Sequence, residues 1–97
     1  MKISYAITVC NELKEVTSLI NFLLVRVDSE DQIVIQYDSE SATKEVIDYL
    51  NIINDIQKQI KVISFPLNKD FASFKNNLKS HCEGDYIFQI DADETPY

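Results

Sequence analysis

Apolar residues along this chain follow two different spacings, one typical of strands and one typical of helices. Residues 3–9, 33–37, 60–65 and 85–90 are short runs rich in β-branched and aromatic side chains, which predict four strands. Between these runs, apolar residues recur every three or four positions, as they do on the buried face of a helix. The pattern therefore predicts the element order βαβαβαβ.

Each of the three predicted helices has a candidate residue for one of its ends. Asn11 can cap the first helix, and Ser41 can cap the second, which spans about residues 42–57. Gly84 can end the third helix in the left-handed conformation. The apolar stripe of that helix consists of Phe71, Phe74, Leu78 and Cys82, and its two phenylalanines are expected to lie in the core.

The regular alternation of strand and helix predicts an α/β fold with three layers, αβα, around a mainly parallel sheet. Because crossovers are right-handed, we expect a Rossmann-like sheet of about four strands in the order 3-2-1-4. No linker or repeat divides the 97 residues, so they form one domain. Ligands bind such sheets beyond the carboxyl ends of the strands, where the strand order reverses. The segments expected there are 8–12, 38–41, 66–71 and 91–94.

The composition excludes several classes of function. Nine Lys and Arg against sixteen Asp and Glu give a net charge of −7, which disfavours binding to nucleic acid. The chain has one glycine, whereas P-loops, dinucleotide fingerprints and nucleophile elbows each need glycines at fixed positions. Cys10 and Cys82 share no metal-ligand spacing with His81, so both are expected to be reduced and mostly buried.

The chain shows no targeting segment. Its start lacks the long apolar core of a signal peptide, and its most apolar stretch, residues 20–27, is too short to span a bilayer and contains Arg26. We therefore expect a cytoplasmic location. Docking of a full-length protein on a membrane remains compatible with this expectation.

Acidic residues gather in the segments where the predicted strands end. They are Glu12, Asp38, Asp70, Asp91, Asp93 and Glu94. Like charges brought together raise each other's pKa and cost stability unless a cation neutralises them. Oxygen ligands without a nearby His or Cys suit Mg²⁺ or Mn²⁺. If the backbone stays extended through Ala92, Asp91 and Asp93 point to the same side, so the sequence predicts a divalent metal site there.

Three segments, taken in order, resemble the family-two glycosyltransferases with the GT-A fold. They are ITVCNE at residues 7–12, the Asp38-Ser39 pair after the second strand, and GDYIFQIDADETP at residues 84–96. Lys75-Asn76 also resembles an element of bacterial members that build lipopolysaccharide cores and other surface glycans. The resemblance covers all 97 residues and implies the N-terminal, nucleotide-sugar-binding half-domain of such an enzyme.

The resemblance implies that a nucleotide diphosphate sugar, preferentially a UDP-sugar, binds together with Mn²⁺ or Mg²⁺. The implied nucleotide-sugar-binding residues are Thr8, Val9, Asn11, Glu12, Asp38, Lys75, Asp91 and Ala92, and the implied metal ligands are Asp91 and Asp93. A cation there would bridge the diphosphate and stabilise the nucleotide leaving group. The implied reaction is glycosyl transfer to an acceptor in bacterial surface glycan or lipopolysaccharide synthesis.

The sequence departs from the family pattern in two ways. Glu40 follows Ser39 where the family often has glycine, which adds a charge beside the implied base pocket. In the family, the catalytic base and the acceptor pocket come from sequence beyond the D-x-D motif, which here is Asp91-Ala92-Asp93. We therefore expect the base downstream of Tyr97. The acceptor-binding half is therefore expected to be absent and these residues alone to be inactive. The alternative is a non-catalytic nucleotide-binding fragment or a truncated chain.

Several candidate site residues also have simpler structural interpretations. Asp38 could open a turn before a helix, and Asp70 could cap one. Glu12 could interact with a helix dipole, and Lys75 could be a solvated helix lysine.

The last predicted strand, residues 85–90, should leave an exposed apolar edge with unpaired backbone groups. Pairing of this edge with a second copy is expected to produce a homo-oligomer.

Overall fold

The predicted alternation of strand and helix is confirmed. The computed structural model describes residues 1–92. The elements are β1 (Ile3–Val9), α1 (Leu13–Leu24), β2 (Gln32–Asp38), α2 (Lys44–Ile56), β3 (Ile60–Phe65), α3 (Phe71–Ser80) and β4 (Tyr86–Asp91). Both ends of each strand lie within one residue of the predicted bounds, because β-branched side chains mark the strands clearly.

The strands form a four-stranded parallel sheet in the order β3-β2-β1-β4, as predicted. β1 lies between β2 and β4, so that Thr8 is beside Gln36 on one side and Asp91 on the other. The chain runs from β1 outward to β3 and then crosses back to β4. The strand order therefore reverses between β1 and β4, which is where a ligand site is expected.

The main core lies between one face of the sheet and helices α1 and α2. Alternate residues of β1 and β2 point into it, because successive side chains of a strand point to opposite faces. Its fully buried members include Ile7, Ile33, Ile35, Val16, Ile20, Val46 and Leu50. Each such side chain stabilises the fold by roughly 1.5–3 kcal/mol relative to an exposed one.

Helix α3 covers the opposite face of the sheet, where the core is smaller and partly polar. Leu78 packs on Ala6 and Val34 there. The buried Gln36 of β2 donates from Nε2 to the carbonyl of Phe74 at 2.7 Å and accepts from Asn77 Nδ2 at 2.8 Å. Both halves of this amide are thus satisfied, which fixes α3 in position on the sheet.

Two of the predicted helix caps are wrong. Asn11 does not cap α1, whose N-cap position is Glu12, with no side-chain capping bond. Ser41 does not cap α2; the Thr43 hydroxyl accepts from the N–H of Val46 instead. Helix α2 begins at Lys44, so Ser41 lies two residues before the N-cap position, and its hydroxyl donates to the Asp38 carboxylate.

Gly84 also has a different role from the predicted one. Helix α3 ends at Ser80 with His81 as a right-handed cap, and Gly84 does not have a positive φ. A Cβ atom on Gly84 would lie 2.6 Å from the backbone nitrogen of Ser4. The glycine is needed because the backbone passes this close to β1, and its N–H donates to Ser4 Oγ at 2.8 Å.

Strand β4 is an edge strand within residues 1–92, since it pairs there with β1 and with no other strand. Its first three side chains, Tyr86, Ile87 and Phe88, are 63%, 41% and 51% exposed. The predicted apolar edge is therefore present in the described part of the chain. No helix in that part is long and apolar enough to cross a membrane.

Candidate functional site

A cleft of about 210 Å³ opens at the carboxyl ends of β1 and β4, at the point where the strand order reverses. It is lined by Thr8, Cys10, Glu12, Leu67, Phe71, Phe74, Lys75 and Asp91. These residues come from the end of β1 and the turn after it, the loop before α3 and the first turns of that helix, and the end of β4. The sequence placed the ligand site at this edge of the sheet, and the cleft lies there.

Asp91 and Thr8 form the floor of the cleft. They are direct neighbours in the β1–β4 register, and the Thr8 hydroxyl donates to Asp91 Oδ1 at 2.5 Å. The N–H of Ala92 donates to the Thr8 carbonyl at 3.0 Å, which continues the pairing past the end of β4. Within residues 1–92, Asp91 Oδ2 accepts no hydrogen bond, so this oxygen is available to a cation or a ligand hydroxyl.

Glu12 shapes the turn between β1 and α1. Its Oε2 accepts from the backbone N–H of Cys10, at 3.0 Å, and from that of Asn11. The turn is closed by its own side chain rather than by a glycine. This arrangement brings Glu12 to the cleft, while Asn11 is exposed outside it.

Asp38 lies at the end of β2 and is 3% exposed. Its Oδ1 accepts from the N–H groups of Glu40 and Leu67, both at 3.0 Å, and its Oδ2 accepts from Ser41 Oγ at 2.7 Å. Burial alone would raise the pKa of Asp38, but these hydrogen bonds outweigh it and the pKa is lowered. The carboxylate thus ties two loops together and does not line the cleft.

The loop between β3 and α3 is held in an unusual conformation. Asn68 and Lys69 have φ values of 47° and 58°, and the N–H of Asn68 donates to Glu40 Oε1 at 2.7 Å. Glu40, which departs from the family pattern, therefore acts as a partner of this loop. Asp70 caps α3 by accepting from the N–H of Ser73, which confirms its structural interpretation.

Leu67 and Phe71 line the cleft and lie in the segment 66–71 that was expected at this edge of the sheet, but neither was predicted to be a site residue. Phe74 is buried as expected, but the expectation that Phe71 is a core residue is wrong, because its side chain is 66% exposed. Lys75 lies one helical turn after Phe71 and also lines the cleft. The spacing of four residues between Phe71 and Lys75, directly after a strand-end loop, was the signal that could have located this wall.

The structure gathers four of the predicted site residues in one cleft, namely Thr8, Glu12, Lys75 and Asp91. Val9 and Ala92 flank it with buried side chains, so only their backbone could contact a ligand. Asp93, the other predicted metal ligand, lies outside the described residues.

The predicted convergence of many carboxylates is not formed by the acids of residues 1–92. Asp38 and Asp70 bind their own loops, and no group of three metal-ligating side chains lies together in this part of the chain. Asp91 and Glu12 are the described acids of the cleft. One carboxylate with a free oxygen can supply one ligand to a divalent cation, and a cation such as Mg²⁺ is usually held by one or two carboxylates together with ligand phosphates.

Cys10 is a half-buried free thiol in the cleft. Burial raises the pKa of this thiol, and the negative charges of Glu12, Asp38 and Asp91 add to the effect against an opposing hydrogen bond with Ser41. The thiol is therefore neutral at pH 7 and is a poor nucleophile.

Comparison with known proteins identifies a family for this chain. Residues 4–97 match the model of the family described as glycosyl transferase family 2. A search of curated proteins gives no match. The match extends over nearly the whole chain and includes both walls of the cleft. The chain belongs to glycosyl transferase family 2.

Proposed function

We propose that the cleft between β1 and β4 binds the nucleotide diphosphate part of a sugar donor, preferentially a UDP-sugar. The observation that carries the proposal is the meeting of Thr8, Glu12, Lys75 and Asp91 in one cleft at the switch point. Membership of glycosyl transferase family 2 supports nucleotide-sugar binding in general. The acceptor that fits the resemblance of Lys75-Asn76 is a growing bacterial surface glycan or lipopolysaccharide core.

The charges of the cleft set a condition on this binding. Asp91 and Glu12 would repel a diphosphate, and the whole chain carries a net charge of −7. A divalent cation, Mn²⁺ or Mg²⁺, held by Asp91 and Asp93 would reverse the local sign and neutralise charge on the departing nucleotide. We therefore expect donor binding to depend on the metal.

The other cleft residues have roles that follow from their positions. Thr8 orients the Asp91 carboxylate through its hydroxyl, so that the opposite oxygen faces the ligand. Lys75 supplies a positive charge on the α3 wall for the phosphates. The backbone between Val9 and Glu12 is proposed to contact the ribose and base. Direct contact of Asp38 with the nucleotide stays a prediction. In the structure the Asp38 carboxylate accepts three hydrogen bonds, all from the loops around it.

Calorimetric titration tests the proposal. UDP- and GDP-sugars are titrated into the chain with and without Mn²⁺, and the variants are Asp91→Ala, Asp93→Ala and the double variant. Asp55→Ala, which removes an exposed acid from α2, is the matched control. We expect binding with Mn²⁺, little binding without it, loss of binding in the double variant, and no change in the control.

Two results would contradict the proposal. One is the absence of nucleotide binding under either condition. The other is binding that survives the double substitution of Asp91 and Asp93 unchanged.

A further inference from the structure

Phe71 is an aromatic residue that lies outside the hydrophobic core. It is the first residue of α3, it lines the cleft, and its ring is 66% exposed. Among residues 1–92 it takes part in no ring contact, whereas Phe74, one turn away, packs edge-on against Phe65. An exposed phenylalanine at the rim of a cleft adds little to folding and offers a flat apolar face to a ligand.

The two walls of the cleft differ in their chemistry. Glu12 and Asp91 lie on the sheet side, and they suit hydroxyl groups or a cation with phosphates. The α3 side carries Leu67 and Phe71, with Lys75 one turn further along the helix. A nucleotide has a flat aromatic base at one end and a charged diphosphate at the other. The cleft therefore matches a nucleotide with its base toward Phe71 and its phosphates toward Lys75 and Asp91.

The loop before Phe71 is held by several hydrogen bonds, so the backbone that carries the ring is in position before a ligand binds. Asp38 Oδ1 accepts from Leu67 N at 3.0 Å, and Glu40 Oε1 accepts from Asn68 N at 2.7 Å. The N–H of Asp70 donates to the Leu67 carbonyl at 2.8 Å, and the Asp70 side chain caps the helix that Phe71 begins. A preorganised surface loses less conformational entropy on binding.

We propose that the ring of Phe71 stacks on the nucleobase of the donor and that Glu40 and Asp38 hold the loop that positions it. This inference rests on the proposed function and assigns a base-recognition residue within the same cleft. Stacking on an aromatic ring tolerates different bases, because every base has a π face. Phe71 therefore contributes affinity for both uracil and guanine nucleotides, and the choice between them is made elsewhere.

The test compares ligands with and without a base. UDP, GDP and pyrophosphate are titrated in the presence of Mn²⁺ into the wild-type chain, Phe71→Ala and Phe71→Tyr. Phe88→Ala, which removes a 51%-exposed phenylalanine from β4 away from the cleft lining, is the matched control. Circular dichroism checks that each variant is folded, which is expected because the Phe71 ring is largely exposed.

Phe71→Ala should weaken the binding of UDP and GDP by about tenfold or more, which is the usual loss of affinity for a stacked base. Pyrophosphate affinity should not change, Phe71→Tyr should restore UDP binding, and Phe88→Ala should bind like wild type. Binding of UDP by Phe71→Ala as tightly as by wild type would overturn the inference while leaving the proposed function intact. Equal weakening of pyrophosphate would also overturn it, since the effect would not involve the base. A wild-type chain that binds no nucleotide would remove the proposed function and this inference together.

Discussion

Asp38 and Asp91 each end a strand that pairs with β1, and yet their carboxylates have different surroundings. Asp38 is buried and accepts three hydrogen bonds from its own loops, whereas Asp91 accepts one from Thr8 within residues 1–92. The Asp38 carboxylate therefore stabilises its loops, whereas one oxygen of the Asp91 carboxylate has no partner within residues 1–92 and is available to a ligand. The sequence pattern places both acids at the correct edge, but only the loop conformations decide which one is free.

The substitution Asp38→Asn should lower the free energy of unfolding at pH 7 by about 1–3 kcal/mol, because a buried charge-assisted network loses its acceptor. The folded pKa of Asp38 is lowered by its hydrogen bonds despite its burial. Its contribution is therefore present above the unfolded pKa of about 3.9 and is lost as the pH falls through the folded pKa. Urea denaturation of the variant and of wild type should show a difference that shrinks in acid. A difference that is independent of pH would contradict this account, and Asp55→Asn should show none.

Because Cys10 lines the cleft, a bound ligand should protect its thiol from alkylation. Burial raises the pKa of both Cys10 and Cys82, so both thiols should react slowly with iodoacetamide at pH 7. UDP with Mn²⁺ should slow the alkylation of Cys10 several-fold further and leave Cys82, on the opposite side of the sheet from the main core, unchanged. Peptide mass spectrometry measures both rates in one sample. Equal protection of the two cysteines would point to global stabilisation instead of occupancy of the cleft.

At the scale of elements, the strands, the helices and their order were predictable, because period-two and period-3.6 patterns report directly on buried faces. The helix ends were less predictable. Ser41 and Thr43 both have side chains suited to capping, and in the structure Thr43 occupies the N-cap position while Ser41 donates to Asp38. Gly84 was recognised as a special position, but its reason is close packing on β1 and not a left-handed φ.

The close approach at Gly84 predicts a large effect from a small side chain. A Cβ would lie 2.6 Å from Ser4 N and 2.9 Å from the Ile3 carbonyl carbon, so the backbone has to move. Gly84→Ala should lower the free energy of unfolding by about 1–3 kcal/mol, the usual cost of overpacking. The neighbouring substitution Glu83→Ala, which removes an exposed side chain, should change it by less than about 0.5 kcal/mol. Thermal denaturation showing equal stability for Gly84→Ala and wild type would contradict the packing argument.

The exposed edge of β4 predicts self-association of this chain. Within residues 1–92 the outer edge of β4 pairs with no strand, and this edge and three exposed apolar side chains favour strand pairing with a second copy. Ile87→Lys should weaken the association, because a lysine on an edge strand opposes pairing. Ile52→Lys, an exposed substitution on α2, should not weaken it. Sedimentation velocity at rising concentration makes the comparison, and a wild-type chain that stays monomeric at high concentration would refute the prediction.

At the scale of the whole molecule, the fold brings acids and a lysine to one cleft of a chain whose net charge is −7. The resemblance named Thr8, Glu12, Lys75 and Asp91 as binding residues, and all four line the cleft. The first two and Asp91 lie at or just after the ends of adjacent parallel strands, which must meet, whereas Lys75 reaches the cleft from α3. The resemblance did not indicate that Phe71 lines the cleft. The direction of Phe71 depends on the left-handed residues before it and on the Glu40 contact, which no local pattern encodes.

The central claim is that a nucleotide occupies the cleft between β1 and β4, and a backbone-amide NMR titration tests it most directly. UDP with Mg²⁺, which is diamagnetic, is added to the isotopically labelled chain. We expect the largest shifts at Cys10, Glu12, Phe71, Lys75 and Asp91, and much smaller shifts when Mg²⁺ is omitted. A second groove lies at the start of β4 and is lined by Lys79, Gly84, Asp85, Tyr86, Ile87 and Gln89. Shifts confined to that groove, or no shifts at all, would contradict the claim.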